Sequence, residues 1–181
     1  MSRPGVPDHV LTERLRGERP QPGHAPHFVA LFGSESVAAT LWPPPHGGPR
    51  TPAQARELLE QDLAHWAAEG FGPWVFFERG EGAAFAGHAG LRRGVLDREP
   101  ILEVLYAVHP ERWGRGYATE MARAAVARAR QLGLSEIVGF TLTTNLASQR
   151  VLQKAGLRHE RTLRHAGLPH WFGRLRLEPD T

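Results

Sequence analysis

A strand, a glycine turn and a helix that follow one another constrain this chain most. Residues 101–118 read ILEVLYAVHPERWGRGYA: an apolar run, a His-Pro break, a turn that contains Gly114 and Gly116, and the start of an alanine-rich segment. Glycine lets the backbone pass close to a ligand, and the first amides of a helix have no partner inside the helix. Such a helix start attracts anions. The sequence therefore predicts a phosphate-binding turn over residues 114–119, although the same succession also occurs where nothing binds.

A second segment downstream narrows this reading to one family. Residues 143–157 read TTNLASQRVLQKAGL. Together the two segments resemble the GNAT superfamily of N-acetyltransferases, whose acyl-CoA loop falls on residues 113–118 and whose later Asn-x-x-Ser helix falls on residues 145–157. The most similar branch is the RimJ/RimL type, which acetylates protein N-termini. Trp113 stands where the family usually has Arg or Gln, a departure often seen in that branch.

The resemblance implies a fold and a domain organisation. The expected fold is α/β (α+β), the GNAT acyl-CoA N-acyltransferase fold, with a mixed, mostly antiparallel seven-stranded sheet and helices on both faces. Residues 1–9 are expected to be a flexible tail and residues 10–178 a single N-acetyltransferase domain. A chain of 181 residues is long enough to bury one proper core.

Apolar patterning and turn residues give the order of elements. Strands are predicted over residues 11–19, 74–79, 83–91, 101–108, 137–142, 157–164 and 171–177. Helices are predicted over residues 22–32, 51–69, 116–132 and 145–155. The proline-rich segment 42–49 and the charged segment 92–99 are predicted to be loops.

Composition excludes several classes of protein. The chain has no cysteine, which excludes a disulfide scaffold, a thiolate zinc site and a cysteine nucleophile. The net charge is +3 and the arginines are spread along the chain, so we expect no nucleic-acid partner. No signal peptide and no apolar run of about 20 residues is present, so we expect a cytoplasmic protein without membrane contact. The histidines do not form a metal-binding pattern, and the oligomeric state stays open, a homodimer included.

The resemblance names acetyl-CoA as the co-substrate and implies which residues hold it. The backbone of Val108 is expected to pair with the pantetheine arm, and a backbone amide near it to bind the oxyanion. Arg115 suits phosphate by its guanidinium geometry. Asn145 is expected to contact the pantetheine arm, although Asn is also a preferred N-cap. The full cofactor set is Val108, Trp113, Gly114, Arg115, Gly116, Tyr117, Ala118, Thr119 and Asn145.

Acetyl transfer from a thioester to an amine makes three chemical demands. It needs a neutral amine, a stabilised oxyanion and a proton for the departing thiolate, and no covalent enzyme intermediate. At pH 7 an α-amine with a pKa near ~7.7 costs about 1 kcal/mol to deprotonate, whereas a lysine-like amine costs about 4.6 kcal/mol. An N-terminal acceptor therefore asks less of a general base.

Two residues are the candidate base and acid. Glu103 stands in the otherwise apolar strand before the cofactor loop, where desolvation would raise its pKa toward neutrality. Its alternative is a solvent-facing position in an alternating strand, and action through water stays open. Ser148 shares a helix face with apolar neighbours and matches the serine that protonates the CoA thiolate in RimL-like relatives. Its alternative is a small filler residue that bonds to the helix backbone.

The acceptor site is expected between the segments 36–50 and 165–173. Trp42, Tyr106 and His170 are the candidate acceptor-binding residues, with His46, His165 and Trp171 on the rim. Such walls favour a peptide α-amine or a mono-amine over a polycation. A small-molecule amine acceptor and a non-catalytic acyl-CoA-binding module stay as alternatives. The sequence leaves open the acceptor's identity and any acyl preference beyond acetyl.

Overall fold

The computed structural model describes residues 7–177. Most of the tail predicted over residues 1–9 lies outside that range, as do residues 178–181. Within the tail, the carbonyl of Asp8 accepts a hydrogen bond of 3.0 Å from Trp74 Nε1, and the carbonyl of His9 accepts one of 3.0 Å from Arg128 Nη2.

The described residues form eight strands and five α-helices. The strands are β1 (Val10–Leu11), β2 (Leu15–Glu18), β3 (Trp74–Glu78), β4 (Phe85–Leu96), β5 (Glu99–Val108), β6 (Glu136–Leu142), β7 (Arg158–His165) and β8 (Leu168–Arg176). The helices are α1 (Ala25–Phe32), α2 (Glu35–Leu41), α3 (Pro52–Glu69), α4 (Tyr117–Gln131) and α5 (Leu146–Lys154). Two short 3-10 helices, Pro22–His24 and Pro110–Arg112, precede α1 and the glycine turn.

All eight strands join one sheet in the order β1-β2-β3-β4-β5-β6-β8-β7. Every neighbouring pair is antiparallel except β5 and β6. The predicted mixed, mostly antiparallel sheet is therefore confirmed, with one strand more than expected. The extra strand arises because the strand predicted over residues 11–19 is two strands, with a turn between Leu11 and Leu15 in which Thr12 N–H donates to the carbonyl of Leu15.

The segment 92–99 is strand, not the predicted loop. β4 and β5 form a long hairpin whose turn is only Asp97 and Arg98, both with positive φ (51° and 67°). Two-residue turns of this kind match the twist of the strands they join. The charged side chains misled the sequence reading, because they lie on a part of the hairpin that projects into solvent.

Two further element boundaries differ from the prediction. Residues 35–41, expected within an acceptor loop, form α2, whose N-cap Ser34 accepts a hydrogen bond from Val37 N–H. The last strand begins at Leu168 rather than at residue 171. Both differences add ordered structure beside the expected acceptor site, and the proline segment 42–49 stays a loop as predicted.

The sheet separates two apolar cores. α1 and α3 pack on one face, where Val75 and Ala107 meet Phe28, Leu31 and Leu59. α4 and α5 pack on the other face, where Leu102, Val104 and Val108 meet Met121, Ala125 and Leu152. Successive side chains of a strand point to opposite faces, so β5 divides its residues between the two cores.

β5 and β6 part near their middle. Glu103 opposite Val138 is their one register pair among the described residues, whereas β5 stays paired with β4 and β6 with β8 along their lengths. A slot therefore opens between Val104–Val108 and residues 139–142, and it leads from the α4 side of the sheet to the α1–α3 side.

Candidate active site

The predicted phosphate turn has the geometry of an anion cradle. Gly114 and Gly116 have φ values of 74° and 79°, in the left-handed region that favours glycine. Gly116 is the N-cap of α4, and no side chain caps this helix start. Ser34, Thr51 and Asn145 cap α2, α3 and α5. The first-turn amides of α4 are thus left for an anion, which fits the diphosphate of acetyl-CoA.

Arginines surround this cradle but are already tied to acids. Arg115 Nη1 lies 3.1 Å from Glu78 Oε1, which also accepts a hydrogen bond of 2.7 Å from the Tyr117 hydroxyl. Arg14 bonds to Glu120 and donates to the carbonyl of Arg115 at 2.8 Å. Arg115 would therefore share its charge between Glu78 and a phosphate, while the amides of Tyr117, Ala118 and Thr119 carry the cradle.

The slot presents backbone groups of β5. His109 N–H donates to the carbonyl of Ala86, so the alternation of an antiparallel ladder turns the backbone groups of Val108 and Tyr106 away from β4 and toward the slot. The carbonyl of Val108 accepts a hydrogen bond of 2.7 Å from Trp113 Nε1. A carbonyl oxygen has two lone pairs. The Val108 carbonyl can therefore accept a hydrogen bond from the pantetheine arm beside the one from Trp113, or the Trp113 side chain has to move away.

A cavity of about 340 Å³ lies at the α1–α3 end of the slot. Its walls come from α1, α2, the proline segment, α3, β4, β5, β6 and the hairpin of β7 and β8. Most of its side chains are aromatic, histidine or aliphatic, including Phe32, Trp42, Phe140, His46, His165 and His170. The dimensions and the apolar walls with a few polar groups are typical of a small-molecule site.

Glu103 opens into this cavity, as the base hypothesis requires. It stands on the same face of β5 as Leu105 and Ala107, whereas Leu102 and Val104 face the other core. Burial raises its pKa to about 7, against the opposing pull of the positive charge of Arg92. No hydrogen-bond partner of its carboxyl group is found among residues 7–177, so the group is accessible to an incoming amine.

A buried charge cluster that the sequence reading missed forms the floor beside Glu103. Asp62 on α3 bonds to His88 Nε2 at 2.5 Å and to Arg92 Nη2, and both His88 and Arg92 line the cavity. Burial alone would raise the pKa of Asp62, but His88 and Arg92 outweigh it and the pKa is lowered. The signal was present: Asp62 interrupts the apolar stripe of α3, and His88 and Arg92 alternate with apolar residues.

Tyr106 lines the cavity with Trp42 and His170, and its side chain packs toward the α4–α5 core, where it meets Ser148. The Tyr106 hydroxyl lies 2.8 Å from Ser148 Oγ and donates to the Ser148 carbonyl at 3.0 Å. Burial raises the pKa of Tyr106, so its hydroxyl keeps its proton at neutral pH. Asn145 caps α5 through a bond from Ser148 N–H to Oδ1, at 3.1 Å. The predicted acid candidate is thus paired with Tyr106, which we expected only among the acceptor-binding residues.

The rim of the cavity contains most of the predicted acceptor residues. Trp42 and His46 come from the proline segment, and the His46 ring packs against Gly167 in the β7–β8 turn. His170 is buried, which lowers its pKa, and Nδ1 lies 3.0 Å from the Leu168 carbonyl. Neutral His170 therefore donates from Nδ1 and presents Nε2 as an acceptor.

Trp171 does not belong to this rim. It neighbours His170 on β8, and successive residues point to opposite faces, so its indole packs in the α4–α5 core and stacks on His159. The prediction that Trp171 stands on the acceptor rim is wrong for this reason.

Residues 7–177 contain neither a metal-binding cluster nor a membrane-spanning helix. No group of three or more His, Cys, Asp or Glu side chains is arranged to hold a metal ion. No helix in the same range is long and apolar enough to cross a membrane.

Comparison with known families identifies the fold. The sequence model of the family described as acetyltransferase (GNAT) domain matches residues 14–158 of this chain. The chain belongs to this family. It therefore carries an acetyltransferase domain of GNAT type, and we expect the cradle and the slot to receive the acyl-CoA donor and the cavity to receive the acceptor.

Two relatives are similar to this GNAT domain in sequence. The FsC-acetyl coenzyme A-N(2)-transacetylase of Aspergillus fumigatus is 40% identical over 100 residues, which cover 51% of this chain and 41% of that protein. The chain thus matches about two fifths of the length of the fungal relative. The uncharacterized protein YkkB of Bacillus subtilis is 27% identical over 167 residues, covering 88% of this chain and 91% of that protein.

Solved structures support the fold at low sequence identity. A putative GNAT-family acetyltransferase from Bordetella pertussis has a TM-score of 0.80 at 21% identity, covering 93% of this chain and 99% of that one. RimL, a ribosomal L7/L12 α-N-protein acetyltransferase, gives 0.73 at 14%, covering 94% and 98%. The aminoglycoside acetyltransferase AAC(6')-Ib gives 0.69 at 16%, covering 90% and 93%. The shared fold thus accompanies different acceptors.

A charge at the cradle should prevent cofactor binding. In Gly116→Asp the carboxylate stands at the start of α4, where it repels the diphosphate, and we expect no measurable binding of acetyl-CoA by calorimetry. Gly116→Asn is the matched control, because it bears the same strain at positive φ without the charge. We expect it to keep binding with reduced affinity. Wild-type affinity in the Asp variant would contradict the assignment.

Replacing Glu103 should change the pH profile more than cofactor binding. We expect Glu103→Gln to lower turnover, to leave the acetyl-CoA dissociation constant nearly unchanged, and to remove the limb of kcat/KM that rises near pH 7. An acceptor amine with a pKa below about 6 should be used, so that its own titration does not mask the limb. A limb that persists in the variant would assign it to another group.

The same substitution gives a stability readout. The pKa of Glu103 in the folded state is raised to about 7. Its contribution to folding stability is therefore fully present below the pKa of the unfolded state, and it is lost as the pH rises from there through 7. Glu103→Gln should therefore raise Tm relative to wild type at pH 8 and not at pH 4. A Tm difference that does not depend on pH would show that Glu103 is solvated.

The Tyr106–Ser148 pair should behave as one unit in proton transfer. We expect Ser148→Ala to slow turnover by roughly 10-fold to 10⁴-fold. Tyr106→Phe, which keeps the ring and removes the hydroxyl, should slow it comparably, and the double variant should be no slower than the worse single one. Acetyl-CoA affinity is the control. If both single variants kept full turnover, the Tyr106–Ser148 pair would have a packing role and no role in proton transfer.

Proposed function

We propose that this GNAT domain transfers the acetyl group of acetyl-CoA to the α-amine of a peptide or protein N-terminus, as the RimJ/RimL-type branch does. The observation that carries the proposal is the cavity of about 340 Å³ at the end of the slot, in which Glu103 has a pKa of about 7. A base with that pKa is matched to an α-amine, whose own pKa is near ~7.7.

The residues divide the chemistry between the two ends of the slot. Acetyl-CoA supplies the activated thioester. Glu103 takes the proton of the amine on the cavity side, directly or through one water. The backbone N–H of Val108 faces the slot and is the candidate donor to the oxyanion. The Tyr106–Ser148 pair holds the proton for the thiolate on the other side, so no group has to serve as both acid and base.

The charge of the cavity favours a mono-amine. Among the described residues that line it, Glu103 is the one carboxylate, and Arg92 brings a positive charge beside it. A polycation such as an aminoglycoside would meet one acid and repulsion from Arg92. The volume of the cavity suits a group the size of one residue. It therefore fits the first residue of a peptide that enters through the rim.

A small-molecule amine is the second candidate acceptor. The observation that favours it is the volume of the cavity, about 340 Å³, which lies in the range of small-molecule sites. The third reading, an acyl-CoA-binding module without catalysis, would keep the cradle but show no thiol release with any amine.

An acceptor comparison tests the proposal. Thiol release from acetyl-CoA is measured with a short lysine-free peptide, with an aminoglycoside, and with the same peptide acetylated at its N-terminus as the control. We expect the largest kcat/KM for the free peptide and none for the blocked one. A larger kcat/KM for the aminoglycoside would show that the acceptor is a polycation. Cofactor binding without thiol release from any amine would favour the non-catalytic module.

A further inference from the structure

Arg92 has hydrogen-bonding capacity that the protein does not use. Its guanidinium donates to Asp62 through Nη2, and within residues 7–177 neither Nε nor Nη1 has a hydrogen-bond partner. Nε is fully buried, although an unpaired buried donor is costly. The side chain is 28% exposed and borders the cavity. Because Nε is fully buried, Nη1 is the unused donor that remains for a group entering the cavity.

The neighbourhood of Arg92 limits what that partner can be. Arg92 stands opposite Glu103 in the β4–β5 register, so both side chains lie on one face, yet they form no ion pair. Asp62 is bonded on its other oxygen to His88 and holds the guanidinium in place. A fixed guanidinium with free donors binds a carboxylate or a carbonyl oxygen. Glu103 next to it receives the amine.

We infer that Arg92 binds the carboxylate or carbonyl oxygen bonded next to the acceptor's amine, so that the acceptor class is an α-amino carboxyl compound. This inference rests on the proposed transfer to an α-amine and adds the feature of the acceptor that the site recognises. The free carboxylate of an amino acid and the first carbonyl of a peptide share this chemistry. An alkylamine without the oxygen lacks it.

Three matched acceptors separate these sources. Leucine carries a carboxylate, leucinamide carries a carbonyl, and 3-methylbutylamine has the same side chain and amine with neither. The kcat/KM of each is expressed per neutral amine, which removes differences in amine pKa. In wild type we expect leucine or leucinamide to exceed 3-methylbutylamine by about 10-fold to 100-fold, the range of a charge-assisted hydrogen bond. The larger of the two identifies the natural oxygen.

Variants assign that preference to Arg92. Arg92→Gln should reduce the ratio to near one, and Arg92→Lys, which keeps a charge opposite Asp62, should restore part of it. Arg93→Gln is the control, because Arg93 is the next residue, is 50% exposed and pairs with Glu69 outside the cavity. The ratio should be unchanged in that variant. An equal ratio in wild type and Arg92→Gln overturns the inference.

A binding readout keeps the inference separate from catalysis. N-acetyl-leucine, the product of leucine acetylation, retains the carboxylate and needs no turnover to bind. We expect its affinity by calorimetry to fall about 10-fold or more in Arg92→Gln and to stay the same in Arg93→Gln. Loss of binding without any acetyl transfer would leave Arg92 as the oxygen site and overturn the proposed function alone. Equal binding in both variants would overturn the role of Arg92.

Discussion

The parting of β5 from β6 is the constraint on which the site depends. Each strand is fully paired on its outer side, β5 with β4 and β6 with β8, and the two meet only at Glu103 and Val138. Backbone groups that face the fork have no strand to pair with, and unpaired backbone groups need a partner. The extended pantetheine arm of acetyl-CoA carries amides, so it can supply these partners by pairing like an added strand. The same fork brings Glu103 to the point where the slot meets the cavity.

The buried cluster of Asp62, His88 and Arg92 fixes one wall of that cavity. Burying charge is costly unless the charges are paired, and the three groups are paired across α3 and β4. Their contacts lock a helix and a strand together, so the guanidinium stands on rigid elements. The facing rim comes from the proline segment and the β7–β8 turn, where His46 meets Gly167. One side of the acceptor site is therefore held by paired groups on a helix and a strand, and loops form the other side.

Predictions from the sequence succeeded where the determinants are local. The glycine turn, the start of α3 at Thr51 and the strand that contains Glu103 depend on neighbours in the chain, and all three are confirmed as elements. The failures depend on distant partners. The register that turns 92–99 into strand comes from the whole hairpin, and the contact of Tyr106 with Ser148 joins two elements 42 residues apart. Trp171 is the exception, because strand alternation, which is a local pattern, already places it on the face opposite His170.

The family match says more about the donor side of the candidate site than about the acceptor side. The cradle and the Tyr106–Ser148 pair, which we propose as the donor half, lie on the α4–α5 side of the sheet, and the cavity, which we propose as the acceptor half, lies on the α1–α3 side. The slot joins the two halves, so we expect substitutions in α2, the proline segment or the β7–β8 turn to change the amine without disturbing the cradle. Two solved structures that share the fold are named for different acceptors, an α-N-protein and an aminoglycoside. The acceptor of this chain therefore has to be inferred from its own cavity, in which Arg92 is the feature that a shared cradle does not require.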